Sequence, residues 1–442
     1  MIPTQNPGRN FRADFFQGTK TGEQMAGSGC FSRALNRLVT CFSGERAGLA
    51  DQAPCSTAYG QPRKVSTLAA SGVDEEGTGG LEAKNGWGKT LGCEDITQAL
   101  SMLLGVEPDE ESLASGGEGD VYVGVNQASK HYAIKVIRKQ RQLNLKDTAG
   151  EFCCLQLARH PNIATVLALI LHNSSNKTYV AIRSLNDIPP KMYTQYRLAA
   201  VISELIKGCT LHKALNSTKG VLGRECSLIS RWRQTCNMGR QLVKALSDCR
   251  AHNIIYRDLK PDNVMMVDTG NNEPDNPDIK LIDFGLAKNI TRLGRTYSIC
   301  GAPFYFSPEI VLDASSRDRQ SQNGHTYSVD LWGLGVMLAV MLTGNDLRSL
   351  CCKPEDDEFI KLNSNKGFST PQSYIYTLGF ARMNETKKKQ ILLDAMPVEG
   401  NSLPQINALV NLILGLTKET PTERTSLIEA GRILDEIINQ RP

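Results

Sequence analysis

Two apolar runs with strand-like spacing follow each other closely, Tyr122-Val123-Gly124-Val125 and His131-Tyr132-Ala133-Ile134-Lys135-Val136-Ile137. A helix carrying Glu151 and Leu155 is expected next, and then strands over 164–172 and 198–204. The stretch between those two strands holds Asn173-Ser174-Ser175-Asn176 and Pro189-Pro190, and reads as a long loop. Beyond about Gly208 the apolar period lengthens. Segments 232–250, 328–342 and 403–416 are predicted helices. Strands first and helices afterwards predict an α+β chain, with a small sheet lobe ahead of a larger helical one. Ile96, Leu100, Leu103 and Leu104 share a helical face, so a short leading helix is expected within 94–106.

Residues 1–93 have another character. They hold 15 of the 38 glycines and few periodic apolar positions, so this extension is expected to be largely disordered. One stretch stands out. Phe31, Leu35, Leu38, Val39 and Phe42 fall on one face within 30–46, with Arg33 and Arg37 off it and Cys30 and Cys41 flanking. Such a basic amphipathic helix suits peripheral membrane contact; the reading set against it is a partner-binding or merely transient helix. Gly86-Trp87-Gly88-Lys89-Thr90 hints at a phosphate loop, but Ala83 stands where that pattern needs glycine. The match is therefore read as chance.

A net charge of +4 argues against a dedicated nucleic-acid binder. The 13 cysteines have no metal-ligand spacing, which fits a reducing compartment. No apolar span or secretory signal is visible, so a cytoplasmic chain is expected.

The chemistry gathers in Ile255-Tyr256-Arg257-Asp258-Leu259-Lys260-Pro261-Asp262-Asn263 and in Asp283-Phe284-Gly285. Asp258 can take a proton from a hydroxyl, Lys260 can neutralise a migrating phosphoryl group, and Asn263 and Asp283 offer hard oxygens to magnesium. Here the chain resembles the eukaryotic-type serine/threonine protein kinases over about 107–436. That resemblance implies the bilobal kinase fold, ATP and Mg2+ as cofactors, and protein substrates. It matches Leu113, Gly116, Gly119 and Val121 to the glycine-rich nucleotide loop, with Ala114 where the first glycine usually lies. Lys135, 14 residues after Val121, would reach the phosphates and pair with Glu151. Ala133, Glu204, Ile206 and Met265 would line the adenine site, with the small Ser203 at its back.

Further matches extend through the helical part. Asp330 would hold the catalytic loop, and Glu309 and Arg424 would form a buried ion pair. Tyr256, in place of histidine, would pack beneath Phe284. Asp283 follows Asp258 by 25 residues, and the excess over the usual spacing falls in 268–278, an expected hairpin tip. Gly294-Arg295-Thr296-Tyr297-Ser298 resembles an activation segment. Ser298 is the implied phosphosite facing Arg257, and Thr296 is its rival. Ala302 stands where a threonine is usual. The expected activity is phosphate transfer to protein hydroxyls with autophosphorylation; the alternative is a pseudokinase or scaffold. A bacterial effector kinase secreted into a host cell, or a divergent protist kinase, would share these features. The oligomeric state is left open.

Overall fold

A sheet whose central strands bury both faces sets the architecture of the first lobe. The computed structural model describes residues 81–93, 95–117, 119–138, 160–184, 187, 194–270, 275–291, 293–315, 323–351, 372–396 and 403–440. The amphipathic stretch at 30–46, Glu151 with its helix, and 352–371 lie outside the described residues. Seven strands form one antiparallel sheet. In chain order they are β1 (Thr90–Gly92), β2 (Val106–Ser115), β3 (Gly119–Asn126), β4 (His131–Ile137), β5 (Val166–Asn173), β6 (Thr178–Ile182) and β7 (Arg197–Glu204). In space the order is β1-β6-β5-β7-β4-β3-β2.

Register puts Lys135 opposite Val121 and Val201, and Ala133 opposite Val123 and Ser203. These residues share the face that turns towards the helical lobe. The other face carries Tyr132, Ile134, Ala168, Ile170, Ala200 and Ile202. Helix α1 (Ile96–Leu104) covers it with Leu100 and Leu103, joined by Leu81 and Cys93. Helix α1 starts where the Asp95 carboxylate accepts the Gln98 N–H at 2.9 Å, and ends at Gly105 with φ 67°.

Two expectations from the sequence change here. Strand β6 lies inside the stretch read as a loop. Its Tyr179, Val180, Ala181 and Ile182 are all buried, so the run has no alternation to reveal it, and a tight turn with Lys177 at φ 51° joins it to β5. Ordered structure also begins before residue 94. The Gly86-Trp87-Gly88 turn docks on β6, where the Gly88 N–H donates to the Ala181 carbonyl at 3.0 Å. A Cβ at Gly88 would lie 2.2 Å from the Asp187 carbonyl oxygen, so this glycine serves close backbone contact.

The second lobe is built on helices α3 (Leu228–Ala251), α5 (Ser328–Thr343), α9 (Pro404–Leu416) and α10 (Leu427–Asn439). The others are α2 (Leu211–Asn216), α4 (Pro308–Ser315), α6 (Leu347–Cys351), α7 (Gln372–Arg382) and α8 (Glu385–Asp394). Helix α5 is apolar on every side and lies at the centre of the lobe. A Cβ at Gly239 would come within 2.6 Å of the Leu338 side chain, which lets α3 and α5 cross closely. Strands β8 (Gly208–Thr210), β10 (Val264–Val267) and β11 (Ile279–Leu281) form a small sheet, and 268–278 is the β10–β11 connection the sequence suggests. Strands β9 (Ile254–Ile255) and β12 (Lys288–Asn289) pair beside it. Among the described residues no helix is long and apolar enough to cross a membrane.

Two buried polar ties fix the lobe's working parts. The Asp330 carboxylate accepts the Tyr256 N–H at 2.9 Å and the Arg257 N–H at 2.8 Å. Arg424 grips Glu309 through two bonds of 2.7 and 2.6 Å, and donates to the Ser328 carbonyl at 2.7 Å. Both ties match the sequence expectation. Burial pushes Asp330 up to about 6, against the pull of the two backbone amides and Arg257.

Leu100 is completely buried between α1 and the sheet. Leu100→Ala should destabilise the chain by about 2–5 kcal/mol in denaturant unfolding; a loss below about 1 kcal/mol would show that α1 is a loose cover. Asp330→Asn should remove a pH dependence. The folded chain keeps a proton on Asp330 that the unfolded chain releases between pH 3.8 and about 6, so the Asp330 contribution to stability falls as pH rises through that window. From about pH 4.5 to about pH 6.5 the change in unfolding midpoint should be more negative in the wild type than in the variant. An equal difference in both would refute the assignment.

Candidate active site

Asp258 is the hub of the site and is 6% exposed. It follows β9 and precedes a short 3-10 turn, Pro261–Asn263. Its Oδ2 accepts the Lys260 Nζ and the Asn263 Nδ2, both at 2.7 Å. Its Oδ1 accepts the Ala302 N–H at 3.1 Å. Burial raises the carboxyl above its ordinary range, and Lys260 and Asn263 offset part of that rise. A positioned carboxylate with a raised pKa is suited to accept a hydroxyl proton.

Asp283 lies across the cleft floor, in a left-handed conformation with φ 56°. Its Oδ1 accepts Lys135 Nζ at 2.8 Å and the Gly285 N–H at 3.2 Å. Desolvation in the cleft would raise this carboxyl, but the Lys135 ammonium outweighs it and holds it below the usual range. Lys135 is thus already tied to the metal side of the site, 148 positions away in sequence. Its other expected partner, Glu151, lies outside the described residues. Tyr256 meets Phe284 edge-on with ring centroids 4.9 Å apart, and its hydroxyl donates to the Ile282 carbonyl at 2.5 Å. The tyrosine therefore has the structural role the sequence implies.

The donor set fits magnesium. Both Asn263 Nδ2 bonds go to Asp258, at 2.9 Å to its carbonyl and 2.7 Å to its carboxylate, which turns the Asn263 amide oxygen the other way. With the Asp283 carboxylate it offers the few hard oxygens that Mg2+ takes from a protein when phosphates complete its shell. Among the described residues no group of three or more His, Cys, Asp or Glu forms a self-sufficient metal cage.

The nucleotide-loop residues sit at the tip of the β2–β3 hairpin. Val121 pairs with Ala114 and with Lys135, and Leu113 on β2 is 63% exposed. The Gly116 N–H donates to the Gly119 carbonyl at 2.9 Å and closes the loop. A Cβ at Gly119 would lie 2.1 Å from the Val136 carbonyl oxygen, so packing against β4 demands this glycine. Gly117 has open space around it. Ile206 lies between β7 and β8, and Met265 on β10 faces Thr210 and Lys280 in register.

Several supporting residues escape sequence reasoning. Arg138 donates to Asp120 and to Ser115, both at 2.8 Å, and clamps the base of the glycine loop. The Glu204 side chain accepts Lys280 Nζ at 2.6 Å and the Thr165 N–H at 2.8 Å. Burial would raise the Glu204 carboxyl, but Lys280 and Thr165 together hold it low. The connection between the lobes is thereby tied to β11. Lys280 is 76 positions from Glu204, and no local pattern marks the pair.

The activation segment also closes on the catalytic loop. Arg257 Nη1 lies 2.5 Å from the Ser298 hydroxyl and 3.2 Å from its carbonyl, while Nε donates to the Leu286 carbonyl at 2.7 Å. Thr296 is 5% exposed, with its hydroxyl 3.0 Å from that of Ser298. Of the two hydroxyls, that of Ser298 belongs to an exposed residue and that of Thr296 to a buried one.

Comparison with known proteins agrees with this geometry. A family model described as the protein kinase domain matches residues 108–435. Myosin light chain kinase A of Dictyostelium discoideum is 30% identical over 241 residues, covering 53% of this chain and 65% of that protein. Serine/threonine-protein kinase DCLK1 of Rattus norvegicus is 27% identical over 217 residues, 49% of this chain and 40% of that protein. Serine/threonine-protein kinase D2 of Homo sapiens is 30% identical over 248 residues, 55% of this chain and 23% of that protein. The chain therefore spans less than two thirds of the length of these relatives. Matched over most of its length by that model, the chain belongs to the protein kinase domain family.

Proposed function

We propose that this chain is an active, ATP-dependent serine/threonine protein kinase that phosphorylates its own Ser298. The observation that carries the reading is the arrangement around Asp258. One carboxylate oxygen is held by Lys260 and Asn263, the other by the Ala302 N–H. In the reaction a substrate hydroxyl oxygen bonds to the γ-phosphorus of ATP, the bond from that phosphorus to the β–γ bridging oxygen breaks, and the hydroxyl proton passes to Asp258. Asp258 orients the hydroxyl, Lys260 balances charge on the moving phosphoryl group, and Lys135 holds the phosphates that remain. Magnesium on Asn263 and Asp283 would neutralise phosphate charge. Lys260, two residues after the base, suits a serine or threonine hydroxyl. Relatives named as serine/threonine kinases support the same specificity.

The Arg257–Ser298 contact supports Ser298 as the residue modified. A phosphate there would meet a guanidinium already in place and form charge-assisted bonds.

Transfer from labelled ATP with magnesium should fall at least about a hundredfold in Asp258→Asn. Mass spectrometry of the wild type should find the phosphate on Ser298. ATP binding without transfer would instead indicate a scaffold. Ala302→Thr adds a hydroxyl beside an Asp258 oxygen that already has the backbone N–H. One further hydrogen bond is worth about 0.5–1.5 kcal/mol, so kcat should rise by at most about tenfold. An unchanged or lower kcat would show that the backbone bond suffices.

A further inference from the structure

His325 precedes α5 and its side chain is 0% exposed. Its backbone exchanges two bonds with the activation segment: Thr296 N–H to the His325 carbonyl at 2.9 Å, and His325 N–H to the Thr296 carbonyl at 2.8 Å. Ring Nε2 lies 3.1 Å from the Ser298 carbonyl oxygen. A carbonyl only accepts, so Nε2 carries the proton. The bare Nδ1 faces Asp313 Oδ2 at 3.7 Å, too far for a hydrogen bond, and has no partner among the described residues.

The neighbours complete a clasp. Arg295 donates to the Asn323 carbonyl at 2.7 Å. Asp313 on α4 accepts the Asn323 and Gly324 N–H groups at 3.2 and 3.1 Å. A Cβ at Gly324 would lie 2.9 Å from the Tyr297 ring and 3.0 Å from the Thr296 carbonyl oxygen. Residues 323–325 thus hold 295–298 between α4 and the catalytic loop. Four residues beyond Ser298, the chain delivers the Ala302 N–H to Asp258.

We propose that His325 is a positioning residue for phosphoryl transfer: its Nε2–H anchors the Ser298 carbonyl, which keeps Ser298 on Arg257 and Ala302 on Asp258. The proposal rests on the kinase reading of the site. The titratable and charged groups facing the imidazole are Asp313 from α4 and Arg257 from the catalytic loop, beside the Ser298 carbonyl of the activation segment. Burial, with help from Arg257, lowers the imidazole below its ordinary range, against the pull of the Ser298 carbonyl and Asp313. A histidine depressed in the folded state gives its full stability above its unfolded pKa, near 6.5, and loses it as pH falls towards the folded value. The clasp should therefore loosen on the acid side. Glutamine can keep an N–H donor near the place of Nε2 and does not titrate.

The test uses the full chain with His325→Gln and His325→Leu, followed from about pH 5.5 to about pH 8 by hydrogen exchange and by transfer from ATP. His325→Leu should raise exchange across 295–302 and lower kcat, each about tenfold, with KM for ATP unchanged. His325→Gln should match the wild type at about pH 7.5 and lack its acid-side rise in exchange. Exchange in α5 should stay low in both variants, reporting an intact fold. Wild-type exchange over 295–302 in His325→Leu overturns the proposal, and so does a glutamine variant that behaves like leucine. If His325→Leu loses its fold, the glutamine variant decides, and an acid-side rise persisting in it overturns the proposal. A wild type that transfers no phosphate, yet shows these exchange shifts, supports the clasp while overturning the kinase reading.

Discussion

A single buried carboxylate sets the direction of everything around the cleft. Asp330 holds two consecutive amides, those of Tyr256 and Arg257, and Arg257 adopts φ 69°. A left-handed conformation in a residue other than glycine costs about 1–3 kcal/mol. Two hydrogen bonds to a charged acceptor, at about 1.5–3 kcal/mol each, offset it. The twist makes neighbouring side chains diverge. Arg257 reaches the activation segment at Ser298, while Asp258 meets Lys260, Asn263 and the Ala302 N–H. Without that grip, consecutive residues could not serve as regulatory anchor and base.

The cleft then has to hold two acidic groups near each other. The charge of Asp283 adds to the rise in Asp258, so each carboxylate disfavours ionisation of the other. Each has its own ammonium, Lys260 at 2.7 Å and Lys135 at 2.8 Å. The ammonium groups come from different lobes, so the charge balance itself draws the sheet towards the helices. The Glu204–Lys280 pair does the same where the chain passes between the lobes. On the proposed reading ATP would compete with the two carboxylates for Lys135 and Lys260.

The groups that do chemistry were legible in the sequence because they sit in short runs with fixed spacing. Asp258, Lys260 and Asn263 fall within one run of six residues, and Asp283 opens Asp283-Phe284-Gly285. The long helices were legible for a similar reason, since their apolar period persists over many residues. What stayed hidden depends on partners far away in the chain. Strand β6 buries both faces and so shows no alternation. The Gly86-Trp87-Gly88 turn gains meaning only from the Ala181 carbonyl and the Asp187 backbone. Lys280 and Arg138 look like ordinary surface cations until the fold brings them to Glu204 and Asp120. His325, as one histidine in a polar stretch, carries no sequence signal at all.

The activation segment poses a question of population. A phosphate on Ser298 can activate only by the difference in its contacts between the held segment and the released one. Here the hydroxyl already touches Arg257, Thr296 is bridged to His325, and Arg295 is tied to Asn323. Every contact made without phosphate raises the share of held molecules and shrinks the activation that remains for the phosphate to provide. The bonds of the clasp each pair a charged group with a neutral one or two neutral groups, so they are less sensitive to salt than an arginine–phosphate pair. The two devices therefore divide the work. On the proposed reading the 323–325 clasp would set the basal population of the active arrangement, and the Arg257 guanidinium would set how far a phosphate on Ser298 could raise it.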